Sequence, residues 1–547
     1  MIRSLAIALA AGTLAMAALA QPAPRPNSER QDALDPTPVN PATDPDAGLF
    51  LNDWRNAAPR KAFGLVFHDI LTPLEGPDPL KPQKRGAVLQ DITSVSRATL
   101  APGAVAQGQL PAGQRAVFYT SDGAGQLLVN GQTHALKDGI GFVLTGDFPF
   151  RLVNTGKAAL GFYVRSEAVP PGTPAATDAS VTSRWDNDRR IGAHWLHICN
   201  GGPPGMLLCT MAPNTMPQPH SHNWEELWLL VKGESVLMLG KQLIRMHPGQ
   251  AYKIPPSGLA AHSNLNLNNE PLQMIYMGPA VRKPRPPLPD YAQLQNTPID
   301  PANAPDIDMF MGHWRNAYPR IAHGNLYMRD LLTGLTGIDP VRPVRTGAVL
   351  LDGATVSHAM LEPGATAHAV TTDPADRQQL FIVASGTGTL VADGRELALT
   401  RGKAFVIGPG QDFRLTASGN QYLTFYVLAE NRPGPAAPVQ LFDWQAASTT
   451  EWHNVTRPLS LPPGLLRHAS ISQVTLGPLQ MSRPYSAPAG TEEIWIALDA
   501  VDVLLGKQLR QLPAGTAYKV PPTGITPHAN INLGSKPVDM LHIVLQP

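Results

Sequence analysis

The residues with the most chemistry to offer lie in Pro219-His220-Ser221-His222-Asn223-Trp224-Glu225-Glu226-Leu227-Trp228 and in Pro256-Ser257-Gly258-Leu259-Ala260-Ala261-His262. On a strand, His220 and His222 share a face, and Glu226 joins them if the chain bends in between. His262, arriving from a later strand after a Gly/Pro turn, adds a third imidazole. Three histidines and a glutamate form a mixed nitrogen and oxygen donor set for one divalent transition metal ion, with Fe, Mn, Ni, Cu and Zn all compatible. Four protein donors leave one or two positions open for water, dioxygen or a chelating oxygen pair. Glu226 is also the candidate catalytic group, since a carboxylate can bind the ion or shift to take a proton. Trp228 shares the strand face of Glu226, and Asn264 and Asn266 alternate with His262. These three, with Tyr252, are the candidate substrate-binding residues.

The two stretches resemble the paired motifs of the cupin superfamily. His220, His222, Glu226 and Gly233 fit the first motif, with three residues between His222 and Glu226 and six between Glu226 and Gly233. Glu226, not Glu225, is therefore the ligand that the resemblance implies. Asn214 stands where that motif opens with glycine, a mild departure because Asn tolerates a left-handed backbone better than most residues. Gly249, Pro256, Gly258, His262 and Asn266 fit the second motif, with two gaps one residue longer. The resemblance implies a small β-barrel and metal binding. It implies no substrate, since cupins include oxygenases, decarboxylases, isomerases, lyases, storage proteins and sugar-binding regulators.

The elements that must position these residues are short strands. Fifty-six prolines and 48 glycines in 547 residues suit strands joined by turns rather than long helices. The chain also repeats itself about 260 residues on. Phe50-Leu51-Asn52-Asp53-Trp54-Arg55-Asn56 returns as Phe310-Met311-Gly312-His313-Trp314-Arg315-Asn316, and Gly240-Lys241-Gln242-Leu243 as Gly506-Lys507-Gln508-Leu509. Each unit splits in two, with hairpin signals such as Asn130-Gly131 and Asp393-Gly394 in its first part. The expectation is an all-β chain of four cupin (double-stranded β-helix or jelly-roll) barrels, arranged as two bicupin halves. Barrel A covers 49–180, barrel B 181–280, barrel A′ 306–434 and barrel B′ 435–547. A Pro-rich linker over 281–305 divides the halves. The whole is similar to two fused copies of a secreted bacterial bicupin.

Met1-Ile2-Arg3, an apolar run and Ala18-Leu19-Ala20 read as a Sec-type signal peptide over 1–20, cleaved after Ala20. Residues 21–48, rich in Pro, Asn and Asp, read as a disordered linker. A soluble periplasmic or secreted protein follows, since no later segment is long and apolar enough for a membrane. With 43 basic and 42 acidic residues the net charge is +1, which gives no field for nucleic acid or anionic lipid. Cys199 and Cys209 flank a turn-rich segment, where a disulfide and an unpaired buried pair are both open readings. Cupin barrels often pair through exposed sheets, so a homodimer is one expected assembly.

Barrels A and A′ lack a His-x-His pair and read as degenerate. In barrel B′, Tyr485 and Ala487 stand where barrel B has His220 and His222, while Glu493 and His528 remain. Two donors hold a divalent ion poorly, so barrel B′ is expected to be metal-free. For function, the leading expectation is an exported metal-dependent enzyme acting on a small oxygen-rich molecule. Dioxygenase-type chemistry stands slightly ahead of lyase or isomerase chemistry. A carbohydrate- or small-acid-binding protein and a structural or storage cupin are the alternatives.

Overall fold

The computed structural model describes residues 29–31, 34–35, 37–146, 148–169, 181–183, 188–191, 197–200, 205–256, 260–279, 304–351, 354–368, 377–430, 439–443, 448–461 and 469–545. These residues form eight sheets, almost wholly antiparallel, with 3-10 turns as the helical elements. The sheets fall into four pairs in chain order, one pair to each jelly-roll barrel. Asn130 (φ 49°) with Gly131 (φ 72°), and Asp393 (φ 52°) with Gly394 (φ 72°), take the left-handed conformations that their hairpins require.

The barrels of each half are interlocked. Leu51–Asp53, from the start of barrel A, adds to the sheet of barrel B with Leu51 opposite Tyr252. Val181–Ser183, from the start of barrel B, adds to the sheet of barrel A beside Ile140–Thr145. The second half repeats both exchanges, with Met311 opposite Tyr518 and Leu441–Asp443 beside Lys403–Ile407. One apolar core then runs through both barrels, joining Phe50, Ile70 and Val95 to Leu227, Leu229 and Ile275. Sheet membership therefore crosses the expected boundary near residue 180.

The halves meet through their B barrels. Thr215 bridges to Gln508, the Met216 amide donates to the Lys507 carbonyl (3.0 Å), and the Leu509 amide donates to the Asn214 carbonyl (2.9 Å). Behind these bonds, Val236, Met238 and Leu265 pack against Leu504, Ala529 and Ile531. Sheet surface of the kind expected to pair separate copies of the chain is here used between its own halves.

One expectation is corrected. Within the stretch read as a disordered linker, Glu29–Gln31 pairs as a strand with His220–His222, and Leu34 is buried at the seam between the halves. Lys241, itself buried, meets Asp35 (3.1 Å) and Asp44 (3.3 Å), and Ala47–Phe50 forms a 3-10 turn capped by Asp46. Composition alone missed this order because these residues dock on surface that the rest of the chain builds. The expected signal peptide, and all but the last two residues of the expected Pro-rich linker over 281–305, lie outside the described residues. No described helix is long and apolar enough to cross a membrane.

Asp502 breaks the seam's apolar pattern. It pairs with Ile531 and Gln511, as Val236 pairs with Leu265 and Arg245 in the other half. Burial pushes its carboxyl up to about 6, against smaller lowering by Gln511 and Arg245. A raised native pKa means that ionisation costs stability, fully so above pH 6 and not at all below the unfolded value near 3.8. Asp502→Asn is expected to raise stability at pH 8 by about 2–3 kcal/mol and to leave it nearly unchanged at pH 4, as read from urea midpoints at the two pH values.

Candidate metal centre

His220–His222 is a short strand whose register places His220 directly opposite His262. Asn214, just upstream, has φ 52°, the left-handed turn that glycine would otherwise supply. The strand breaks after His222, and the chain re-enters a sheet at Leu227–Lys232, so Glu226 is carried back to the two histidines. Ligand atoms of His220, His222, Glu226 and His262 all lie within 4.8 Å of one another, and all four side chains are buried. Among the described residues this is the one group of histidines, cysteines and carboxylates brought together in this way.

Backbone contacts fix the imidazoles. His220 Nδ1 donates to the Gln218 carbonyl (3.0 Å), and His262 Nδ1 donates to the His220 carbonyl (2.9 Å). Each Nε2 is thereby left as the lone-pair nitrogen turned to the centre. His222 Nε2 lies 3.0 Å from Glu226 Oε2, and His262 Nε2 lies 3.3 Å from Glu226 Oε1. Neither nitrogen has a geometrically sound hydrogen bond despite full burial. Burial holds His220 and His262 below the usual imidazole range and so in the neutral form that ligation needs. Burial pushes Glu226 up, but His222 and His262 outweigh it and hold the carboxyl well below its ordinary value. Neutral nitrogen donors, an ionised oxygen donor and buried lone pairs without partners fit a divalent ion.

The surrounding residues divide into two kinds. Trp228 Nε1 donates to Glu226 Oε1 (2.8 Å), so it orients the carboxylate rather than standing free as a pocket wall. Trp224 packs on His222 with ring centroids 4.1 Å apart, covering that side. Tyr252 accepts from Asn264 Nδ2 (2.9 Å), and its pKa, raised mainly by burial, also feels the charge of Glu226. This pair lies inside the barrel beside the centre. Asn266 does not. Its amide donates to the Met211, Ala212 and Glu270 carbonyls (3.2, 3.0 and 3.0 Å), so the expected substrate contact is corrected to a loop staple.

Glu225, beside the ligand, has a role that sequence reasoning missed. Its carboxylate accepts from the amides of Gln90, Asp91 and Ile92 in barrel A (2.7, 2.9 and 2.8 Å). Lys253 lies 3.3 Å away and donates to the Val88 carbonyl (2.5 Å). Glu492 and Lys519 repeat the pair at 2.9 Å, with Lys519 on the Val349 carbonyl (2.7 Å). The available signal was a Glu-Glu pair and a strand lysine kept in both repeats.

In barrel B′ the corresponding positions carry a hydrogen-bond cluster. Tyr485 lies opposite His528, as His220 lies opposite His262, and its hydroxyl donates to Glu493 Oε1. Trp495 Nε1 (3.0 Å), His528 Nε2 (3.0 Å) and His542 Nε2 (2.8 Å) reach the same oxygen. His542 was not foreseen. It stands opposite Trp495, where barrel B has Tyr276 opposite Trp228. In barrels A and A′ the histidines are dispersed, with His358 stacked on Trp314 at 5.5 Å.

The Cupin domain family matches residues 207–278, in barrel B, and 357–429, in barrel A′. The chain thus carries two cupin domains. Similar solved structures include the formate complex of oxalate decarboxylase from Lactobacillus farciminis (13% identity, 44% of this chain and 86% of that one, TM-score 0.33). A cupin 2 conserved barrel domain protein from Leptotrichia buccalis (12%, 42% and 92%, 0.29) and AerE from Microcystis aeruginosa (14%, 42% and 98%, 0.33) are others. No functionally curated protein matches the chain.

This cupin is expected to bind one equivalent of Co(II) or Zn(II) per chain. His220→Ala/His222→Ala is expected to bind none with its circular dichroism unchanged, while Tyr485→Phe keeps the single equivalent. Metal analysis after gel filtration reads all three outcomes.

Proposed function

We propose that this cupin is an exported, metal-dependent enzyme whose centre in barrel B acts on a small oxygen-rich molecule. The observation that carries the reading is the convergence of three histidines and Glu226, with ligand atoms within 4.8 Å of one another and all four side chains buried. A divalent ion held there supplies Lewis acidity and a site for oxygen donors. His220, His222 and His262 hold it in place, and Trp228 keeps Glu226 turned toward it. Glu226, with its depressed pKa, serves better as a ligand than as a resting base. The nearby Tyr252 and Asn264 orient what is bound, and the packed cage excludes bulk water. Dioxygenase-type chemistry stands slightly ahead of lyase or isomerase chemistry.

A binding protein is the second reading, favoured by barrel B′. There Tyr518 still donates to Asn530 (2.8 Å) although the ion's place is filled, so the polar pair outlasts the metal site. The two readings separate when the protein, purified without chelators or affinity nickel, is offered a panel of enediols, catechols, diketones and hydroxy acids. The enzyme reading expects turnover that His262→Ala abolishes. Tight binding with ligand recovered unchanged would establish the binding reading instead.

Export rests on the N-terminal reading and on Cys209, which is disulfide-bonded and lies opposite Cys199, the chain's other cysteine. Such bonds persist in oxidising compartments. The mature protein is expected to begin at Gln21 on N-terminal sequencing and to show no free thiol when unfolded without reductant. Cys209→Ser is expected to cost about 3 kcal/mol of stability, from the short loop that the bond closes.

A further inference from the structure

We infer that the centre in barrel B selects a ligand that binds as a single negative charge, and that the carboxamides of Gln218 and Asn264 are its specificity-determining contacts. The inference rests on the metal-centre reading above and deepens it.

The first ground is charge. A divalent ion with Glu226 and three neutral imidazoles carries a net +1, enclosed by residues that are nearly inaccessible to solvent. A bidentate ligand arriving as a monoanion leaves the cage neutral. A dianion would leave an excess negative charge that needs a cation beside it, because an unpaired buried charge is strongly unfavourable. The buried cations among the described residues of this half are engaged elsewhere. Lys253 is held by Glu225 and the Val88 carbonyl, Arg165 by Glu167 and the Gly205 carbonyl, and Lys241 by Asp35 and Asp44. No described lysine or arginine bonds to any of the four ligands or to Tyr252 and Asn264.

The second ground is the pair of amides. Gln218 is 3% exposed, yet neither its Oε1 nor its Nε2 has a partner. Its own carbonyl receives the Nδ1–H of His220, which ties its backbone to the centre. Asn264 is also 3% exposed. It shares a strand face with His262 and uses Nδ2 on the Tyr252 hydroxyl, which leaves Oδ1 unpartnered. Buried amides normally find partners; Asn264 lies on the strand face of His262 and Gln218 two residues before His220 in the chain, and both unfilled amides are groups held for a ligand. Both are uncharged hydrogen-bonding groups, so they suit hydroxyl, carbonyl or N–H functions flanking the chelating pair and do nothing to balance a second negative charge. Hydroxy acids, enolised diketones and hydroxamates have this character.

The test uses the full chain loaded with Co(II), titrated at pH 7.5 with two small bidentate oxygen chelators. Acetohydroxamate binds as a monoanion and oxalate as a dianion. The readouts are the visible Co(II) spectrum and calorimetry, and each affinity is divided by that of the same chelator for Co(II) in buffer. The normalised affinity is expected to favour acetohydroxamate at least tenfold. Gln218→Leu and Asn264→Leu are expected to weaken acetohydroxamate at least fivefold each, with Co(II) content held at one per chain. Gln218→Glu, which adds a negative charge in nearly the same shape, is expected to weaken oxalate further. Equal or tighter normalised binding of oxalate, or unchanged acetohydroxamate affinity in both leucine variants, overturns the inference and leaves the metal centre standing. Failure to take up Co(II) at His220, His222, Glu226 and His262 overturns the metal reading and this inference with it.

Discussion

A buried ion pair between Glu225 and Lys253 sets the frame for everything at the centre. Glu225 is anchored by three consecutive backbone amides of barrel A, and Lys253 closes the contact on a carbonyl of the same segment. Glu226 is the next residue, where the chain enters the strand Leu227–Lys232, and neighbouring residues in extended chain face opposite ways. One carboxylate therefore faces the neighbouring barrel while the other faces the ligands. The clamp on the first fixes the position of the second. Breaking one member of such a pair leaves an uncompensated buried charge, which makes the contact stringent whatever its net contribution to stability. Glu492 and Lys519 repeat the arrangement beside Glu493, so the frame does not depend on the full set of three histidines.

That independence explains how barrel B′ keeps its shape. An ionised carboxylate inside a barrel needs positive charge or several donors. In barrel B the donor set fits an ion. In barrel B′ a phenol, an indole and two imidazoles converge on Glu493 Oε1, and burial pushes its carboxyl up while the imidazoles of His528 and His542 outweigh that and hold it well below the ordinary range. Tyr485 fills the space that His220 occupies, and its ring packs on His528 at 4.2 Å, close to the 4.1 Å between His220 and His262. Three replacements, Tyr485, Ala487 and His542, thus turn a cage with unfilled lone pairs into a hydrogen-bond cluster on Glu493.

The parts legible in the sequence were those governed by local spacing. His220, His222 and Glu226 lie within seven residues, and the turn chemistry of Asn214, Asn130-Gly131 and Asp393-Gly394 follows from backbone preferences that single residues carry. The internal repeat made the four barrels and the loss of ligands in the last one readable. The illegible parts depend on partners far away in the chain. Glu225 looks like a spare carboxylate until Gln90, Asp91 and Ile92 are placed beside it. Asn266 looks like a pocket residue until the Met211, Ala212 and Glu270 carbonyls surround it. His542 sits in the last strand, some 49 residues beyond the glutamate it contacts. The segment around Leu34 and Asp35 has no periodicity of its own, and its order comes from the seam and from Lys241.

The seam also bears on why one barrel could lose the donor set while the other kept it. The contact between barrels B and B′ runs through corresponding elements of the repeat, with Asn214 and Met216 of one half meeting Lys507 and Leu509 of the other. If two identical chains made such a contact, every substitution would appear on both sides at once. A buried carboxylate in place of Val236 would then occur twice in one apolar seam. Within a fused chain it occurs once, as Asp502, with Arg245 from the other half among the groups that lower its carboxyl against burial. The same freedom applies to the centres. Tyr485 and Ala487 remove donors from one barrel without touching the other, and the clamp at Glu492 keeps that barrel in register. Covalent duplication thus leaves barrel B′ able to serve as a fitted wall while, among the described residues, barrel B keeps the full set of three histidines and a glutamate.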